Sequence, residues 1–114
     1  MNWELRISSE AERCIEEQML WYEADERHGG ADLADRWLKK LEAALQKLGD
    51  HPERHGFAPE NGQWHPEVVI RQLRFKPWKS KPGWRVLYVM DDEKHRVIVL
   101  QVRHERRPWL EDEP

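Results

Sequence analysis

The residues best suited to holding an anion lie in the C-terminal half of this 114-residue sequence. Residues 68–107 contain all eleven lysines and arginines found after position 60 but only four acidic side chains, so this window has a net charge of +7. Residues 1–60 have a net charge of −6, and the whole chain has −3. Such a segregated positive charge favours a polyanionic or acidic partner.

A basic and aromatic loop is the clearest candidate for a contact within this window. Residues 76–83 are too rich in proline to form a strand. Their lysines could bind phosphates while a tryptophan stacks on a base, or the same charges could dock on an acidic protein surface. A solvated hairpin loop is the structural alternative. The candidate binding residues are Lys76, Trp78, Lys79 and Lys81.

The remaining metal-ligating side chains do not form a convincing site. His51, His55 and His65 lie close together in sequence, but neither a cysteine nor a helix-borne carboxylate stands at ligand spacing. We therefore interpret them as loop histidines and expect neither a metal nor a small-molecule cofactor. Cys14 is the single cysteine, and its place on a helix flank indicates a buried, inert thiol.

Length and composition indicate one globular domain. Hydrophobic residues make up 39% and charged residues 36% of the chain, and the mean hydropathy is −0.98. We expect a single domain over residues 1–114, with an acidic tail from about residue 110. One cysteine, no signal-peptide pattern and a longest apolar run of Val86 to Met90 predict a cytoplasmic protein with no membrane partner.

The N-terminal half predicts one strand and two helices. Trp3, Leu5 and Ile7 alternate with polar residues as in a half-buried strand. A capping box from Ser9 to Glu12 predicts the start of a helix that runs to about residue 27. Asp32 can cap a second helix, with a stop at Gly49. Residues 50–67 are rich in proline and glycine and predict a long surface loop. The expected buried helical positions are Ala11, Ile15, Met19, Tyr22, Leu33, Trp37, Leu41, Ala44, Leu45 and Leu48, with Trp21 at the edge.

The C-terminal half predicts three strands, over residues 68–75, 84–90 and 96–103. A short polar turn at residues 91–94 makes the last two antiparallel neighbours. The order is therefore β-α-α-β-β-β, an α+β fold with a helical hairpin packed on one face of a mostly antiparallel four-stranded sheet. If Trp84, Val86 and Tyr88 face the helices, Arg85 faces outward from an open sheet face.

This order of elements and several local motifs resemble the RelE/ParE superfamily, the toxins of type II toxin–antitoxin systems that are also described as plasmid stabilisation proteins. The resemblance covers nearly the full chain, although no single motif is diagnostic. The residues that carry it are Trp21-Tyr22-Glu23, residues 41–45, His51-Pro52-Glu53-Arg54, residues 84–88, and Val102-Arg103-His104-Glu105-Arg106-Arg107.

The resemblance implies a growth-inhibiting toxin that a cognate antitoxin protein neutralises. ParE-like members inhibit DNA gyrase without nuclease chemistry, whereas RelE-like members enter the ribosome and cut mRNA as metal-independent endoribonucleases. The ParE-like function is favoured here, with the endoribonuclease as the alternative. A degenerate, non-toxic domain that only binds a partner is the third possibility.

The resemblance also assigns roles to individual residues. For a nuclease, Arg85 would bind the scissile phosphate, His104 would act as acid or base, and Arg103 would support them. Arg85 could instead pair with a carboxylate, and His104 could be structural. No tyrosine follows His104, and the His-x-x-Arg ending resembles the ParE-like branch more closely. Further candidates for target binding are Arg74, Arg106 and Arg107.

Overall fold

The computed structural model describes residues 3–59, 61–62, 67–78 and 83–104. It confirms the expected order of elements. The strands and helices are β1 (Glu4–Ile7), α1 (Ser9–Glu23), α2 (Ala31–Asp50), β2 (Arg71–Phe75), β3 (Trp84–Asp91) and β4 (Arg96–His104), with 3-10 turns at Glu26–His28 and Pro52–Arg54.

The four strands form one mixed sheet in the order β1-β4-β3-β2. β1 pairs with β4 in parallel, and the other two pairings are antiparallel. The helical hairpin carries the chain from β1 at one edge of the sheet to β2 at the other. The β2-β3-β4 meander then returns to β1, so that β4 lies beside β1 and runs parallel to it. The expected mostly antiparallel α+β sheet is confirmed.

Helix α1 differs from its predicted boundaries at both ends. Its cap is Ser8, not Ser9: the Ser8 side-chain oxygen accepts from the Ala11 amide at 3.1 Å. The same hydroxyl donates to the Leu100 carbonyl at 3.1 Å, a contact to β4 that sequence spacing does not reveal. The helix ends at Glu23, and the chain reverses through a 3-10 turn and the left-handed Gly29 instead of continuing to residue 27.

Helix α2 also differs from the predicted boundaries. It begins at Ala31 after Gly30, whose backbone has φ 49° and gives no side-chain cap, so Asp32 is not the cap. Asp32 lies in the first turn instead, where a carboxylate favours the helix dipole. The helix continues through Gly49, whose carbonyl accepts from the Trp3 amide at 2.9 Å. Among the described residues, no helix is long and apolar enough to cross a bilayer.

The main core lies between the helical hairpin and one sheet face. Trp37, Leu41 and Leu48 of α2 are almost fully buried and pack with Val86 and Tyr88 of β3. Their spacing along α2 produces a single apolar stripe, as the sequence predicts. The expected inward orientation of the alternate β3 residues is therefore confirmed.

The opposite sheet face is not open, as the sequence predicted, but partly covered. Ala58 and Ile70 pack on Leu87 in a second small apolar cluster. The predicted strand at residues 68–75 starts only at Arg71, because residues before it cross this face and Ile70 accepts from the Ala58 amide at 2.9 Å. Arg85 lies on the same side and is only 4% exposed. The segment that contains Ala58 and Ile70 shields the apolar Leu87 side chain from water on this face.

Replacing the capping serine tests the corrected helix start. We expect Ser8→Ala to lower the free energy of unfolding by about 1–2 kcal/mol, because it removes both the α1 cap and the bond to Leu100. Urea denaturation of the two variants measures this. Ser9→Ala is the matched control and should change stability by less than about 0.5 kcal/mol. A larger loss at Ser9 than at Ser8 would contradict the assignment.

Candidate functional site

An irregularity in the pairing of β3 with β4 determines which side chains share a sheet face. Leu87 pairs with Gln101, but the next residue of β3, Tyr88, pairs with Val99. Leu100 is therefore an extra residue in β4, a β-bulge. Before the bulge Val99 faces the helices, and after it Val102 does. Regular alternation would have placed Arg103 on the helix side; the bulge places it on the other.

The bulge aligns three arginines across the sheet. Arg74 of β2 pairs with Arg85 of β3, which pairs with Arg103 of β4. Directly opposed side chains lie about 5 Å apart at their Cβ atoms. Arg85 and Arg103 are 4% and 7% exposed, whereas Arg74 is exposed. We call these three residues the arginine row.

Two amide side chains help to hold the arginine row. Arg85 donates to the Gln72 side-chain oxygen at 3.2 Å, and Arg103 donates to that of Gln101 at 2.9 Å. Three like charges in neighbouring cross-strand positions are unfavourable by themselves. An anion held against this face would reduce that repulsion, so the row is a candidate anion-binding feature.

His104 lies on the opposite face of the sheet. It pairs with Trp84, one position beyond the arginine row, and the two rings meet edge to face with centroids 5.5 Å apart. Trp84 in turn contacts Trp37 of α2 at 5.3 Å. The structure therefore brings Arg74, Arg85 and Arg103 together across the sheet. His104 is on the other face from Arg85, although His104 and Arg103 both line the groove between α1 and the end of β4.

Both tyrosines of the chain are committed to the core. The Tyr88 hydroxyl donates to the Pro52 carbonyl at 2.5 Å, and burial raises the pKa of Tyr88 to about 12. Tyr22 is 7% exposed and contacts the rings of Trp37 and Trp78. Neither tyrosine supplies a hydroxyl to the arginine row.

Part of the predicted basic loop lies outside the described residues. Trp78 is half-buried, with its ring 5.8 Å from that of Tyr22 and the Arg36 guanidinium 5.4 Å from its centroid. These contacts give Trp78 a role in holding the loop to the helices, besides any contact with a base. Lys76 is exposed. Lys79, Lys81, Arg106 and Arg107 lie outside the described residues.

The histidines of the long loop are separated. His51 lies 3.5 Å from the Glu53 carboxylate, whereas His55 packs beside the Tyr88 ring. His65 lies outside the described residues. Within the described part of the chain, no three histidine, cysteine or acidic side chains are grouped as metal ligands would be.

A groove of about 1090 Å³ runs between α1 and the end of β4. Within the described residues β1 pairs with β4 only as far as Val99, so the last part of β4 pairs with β3 on one side and borders the groove on the other. Trp21, expected at the edge of the core, is 65% exposed on this groove because Tyr22 takes the inward position. The aromatic and polar walls include Cys14, Trp21, Tyr22, Trp78, Trp84 and His104.

Cys14 is the one nucleophilic thiol of the sequence, and it lines the groove. Burial raises the pKa of the Cys14 thiol above its ordinary value, although a backbone hydrogen bond from Val102 opposes this shift. A thiol with a raised pKa carries less thiolate at neutral pH and reacts slowly. Cys14 is half-buried, not fully buried as expected, and its raised pKa agrees with an inert thiol.

Comparisons with known proteins give one matching family and structural neighbours. One protein family matches residues 5–109: the ParE toxin of the type II toxin–antitoxin system parDE. A crystal structure of the RelBE2 toxin–antitoxin complex from Mycobacterium tuberculosis has a TM-score of 0.53 at 18% identity, covering 91% of this chain and 99% of that one. An E. coli RelE mutant in the free state has a TM-score of 0.43 at 21% identity, covering 91% and 84%. No curated protein matches.

A helical hairpin on a four-stranded mixed sheet is the fold of the RelE/ParE-like toxins, as the likeness to RelBE2 shows. Because the family match spans nearly all of the sequence, the chain belongs to the ParE toxin family of type II toxin–antitoxin systems. The superfamily and fold expected from the sequence are confirmed.

The environment of Cys14 predicts slow alkylation. At pH 8 we expect iodoacetamide to react with the folded protein about tenfold more slowly than with the same chain in strong denaturant, because burial keeps the thiol protonated. Mass spectrometry of timed samples measures the rate at this single cysteine. The folded chain should also reach its fastest reaction at a higher pH than the unfolded chain. Equal rates at pH 8 would contradict the described burial.

Proposed function

We propose that this ParE-family toxin acts as a protein-binding inhibitor of DNA gyrase and performs no nuclease chemistry. The observation that carries the proposal is that His104 packs on Trp84 on the helix side of the sheet, whereas Arg85, the residue expected at the scissile phosphate, faces the other side. Family membership supports the same direction, since the matching family is that of the ParE toxin.

RNA cleavage through the 2′-hydroxyl requires a base, an acid and cationic donors around one phosphate. Arg85 could supply a donor on one face, but the imidazole of His104 packs with Trp84 on the other. A general acid or base must come within about 3 Å of the atom it serves. The Tyr88 hydroxyl donates to the Pro52 carbonyl in the core and does not replace it. This arrangement supports binding over cleavage.

The groove beside α1 is the proposed docking site of the antitoxin. Trp21 is 65% exposed there, and the adjacent Leu20 of α1 is also 65% exposed. On this side the end of β4 has no neighbouring strand beyond Val99 within the described residues. A disordered antitoxin segment could bury the tryptophan and become ordered as it binds. Membership of a type II toxin–antitoxin family supports the cognate antitoxin as the occupant.

A ribosome-dependent mRNA endoribonuclease is the second candidate. The arginine row favours it, because aligned guanidinium groups match phosphate oxygens. This candidate needs a proton-transfer group on the same face, which His104 does not provide in the described arrangement.

A supercoiling assay tests the proposed target. We expect the purified protein to block supercoiling of relaxed plasmid by gyrase and ATP in a concentration-dependent manner. Adding the protein encoded beside this chain, as the candidate antitoxin, should restore activity. A type I topoisomerase reaction under the same conditions is the control and should be unaffected. Undiminished supercoiling at a large excess of this protein would exclude gyrase as its target.

Alkylation of Cys14 reports on antitoxin docking. Because Cys14 and Trp21 line the same groove, we expect bound antitoxin to slow iodoacetamide labelling and Trp21→Ala to weaken antitoxin binding about tenfold. Phe57→Ala is a matched control, since Phe57 is a similarly exposed aromatic residue outside the groove. If antitoxin binds while Cys14 labels at its free rate, the docking site lies elsewhere.

A further inference from the structure

A second exposed apolar surface lies away from the groove, where the long loop joins β2. Phe57 is 59% and Val69 50% exposed. The backbone at Phe57 forms an isolated antiparallel bridge with Arg71, and Val69 precedes Arg71 by two residues. In extended chain, side chains two residues apart point to the same side. Phe57, Val69 and Arg71 are therefore neighbours.

The guanidinium of Arg71 is fixed within this surface. It lies 4.7 Å from the centroid of the Phe57 ring, and its Nη1 donates to the His55 carbonyl at 2.7 Å. The cation–π contact and the hydrogen bond together hold a positive charge beside an exposed aromatic ring. Little side-chain entropy remains to be lost when a partner binds it.

Two further cations surround the same surface. Lys47 at the end of α2 and Arg54 in the following 3-10 turn are both exposed. The turn after α2 connects Lys47 to Arg54: the His51 amide donates to the Lys47 carbonyl at 3.2 Å, and the Arg54 amide donates to the His51 carbonyl at 3.2 Å. Burial lowers the pKa of His55, and the charges of Arg54, Arg71 and Lys47 lower it further, whereas the Glu53 carboxylate raises it. We call Lys47, Arg54, Phe57, Val69 and Arg71 the basic aromatic patch.

The three cations of the patch are not neutralised by ion pairs. Other basic residues, such as Arg6, Arg13, Lys39 and Arg96, pair with carboxylates. Over the ranges that the structure describes, no such pair involves a cation of the patch. The nearby carboxylate of Glu53 faces His51 instead. The patch therefore presents three cations around an apolar centre, with Glu53 as a neighbouring carboxylate.

The patch is built on a rigid base. The Pro52 carbonyl accepts from the Tyr88 hydroxyl in the core, and Pro52 itself is buried. Behind Phe57 and Val69, the neighbouring residues Ala58 and Ile70 are 4% and 0% exposed and anchor the segment to Leu87. A surface held in this way is suited to recognition without rearrangement.

We propose that the basic aromatic patch docks onto a carboxylate-bearing surface of the protein that this toxin inactivates. Exposed aromatic and arginine side chains at the centre of a patch are typical of protein-binding hot spots. Its unpaired cations are complementary to acidic side chains. A nucleic acid is less suited, because Arg71 already covers Phe57 and the aliphatic Val69 gives a base nothing to stack on.

The patch and the antitoxin groove are separate surfaces. None of the five patch residues lines the groove beside α1. The inference rests on the proposed function in one respect: it takes the toxin to act by binding a protein. It does not require that protein to be gyrase.

Charge reversal and truncation test the patch. The two patch variants are the double substitution Lys47→Glu with Arg54→Glu, and the single substitution Phe57→Ala. The control is Arg27→Glu with Lys94→Glu, which makes the same charge change at two exposed sites outside both surfaces. Growth arrest on induced expression, gyrase inhibition in vitro and co-purification with the antitoxin are measured for each. The antitoxin measurement verifies folding.

We expect both patch variants to lose growth arrest and to need about tenfold more protein for gyrase inhibition, with antitoxin binding unchanged. The control should behave as the unmodified protein. Patch variants that bind antitoxin and arrest growth normally would overturn the inference, whatever the target is.

Two further results separate this inference from the proposed function. If the unmodified protein arrests growth without inhibiting gyrase, gyrase is the wrong target, and the growth assay alone decides the patch. If it does not arrest growth at all, both proposals fail. Binding of fluorescein-labelled single-stranded RNA that disappears in the patch variants would replace the acidic protein with a nucleic acid and overturn the partner class.

Discussion

The junction between Ser8 and the bulge at Leu100 is the contact on which the rest of the arrangement depends. One hydroxyl caps α1 and also binds the Leu100 carbonyl, while the Ser8 amide donates to the Val99 carbonyl at 3.0 Å. The serine thus ends β1, starts α1 and holds β4 where its alternation changes. A small hydroxyl side chain suits this position, because one oxygen atom accepts from the Ala11 amide and donates to the Leu100 carbonyl.

Both candidate surfaces of the sheet follow from this junction. The bulge places Val102 in the core and Arg103 opposite Arg85. It therefore determines both the arginine row and the core packing at the end of β4. Because β1 stops at Ile7 opposite Val99, the rest of β4 is left beside the groove. The same local geometry places Arg85 on the face away from the groove proposed for antitoxin binding, while Arg103 and His104 both line that groove.

Much of the fold could be predicted because its signals are local. The apolar stripe of α2 and the alternation of β3 give the core and the orientation of Trp84 to Tyr88 directly. The bulge has no such signal: residues 97–100 are a continuous apolar run, without the glycine that often marks one. Ser8 and Ser9 are adjacent and chemically equivalent in sequence, and only the contact to Leu100 distinguishes them.

The site was predicted residue by residue but not as an arrangement. Arg74, Arg85 and Arg103 can each be chosen for their charge, yet their alignment depends on pairing across three strands. The basic aromatic patch could not be found from charge density, because Lys47 and Arg54 lie in the acidic half of the chain. Its members become neighbours only when the segment at Phe57 pairs with β2.

The most direct test of the separation between His104 and Arg85 is a search for mRNA cleavage. Translation of a preformed mRNA in a purified system containing this protein, followed by mapping of mRNA 5′ ends, includes no step that requires gyrase. The structure predicts uncut mRNA and unimpaired translation. Ribosome-dependent cuts that disappear in both Arg85→Ala and His104→Ala would show that the two side chains serve one catalytic centre, which would contradict the account.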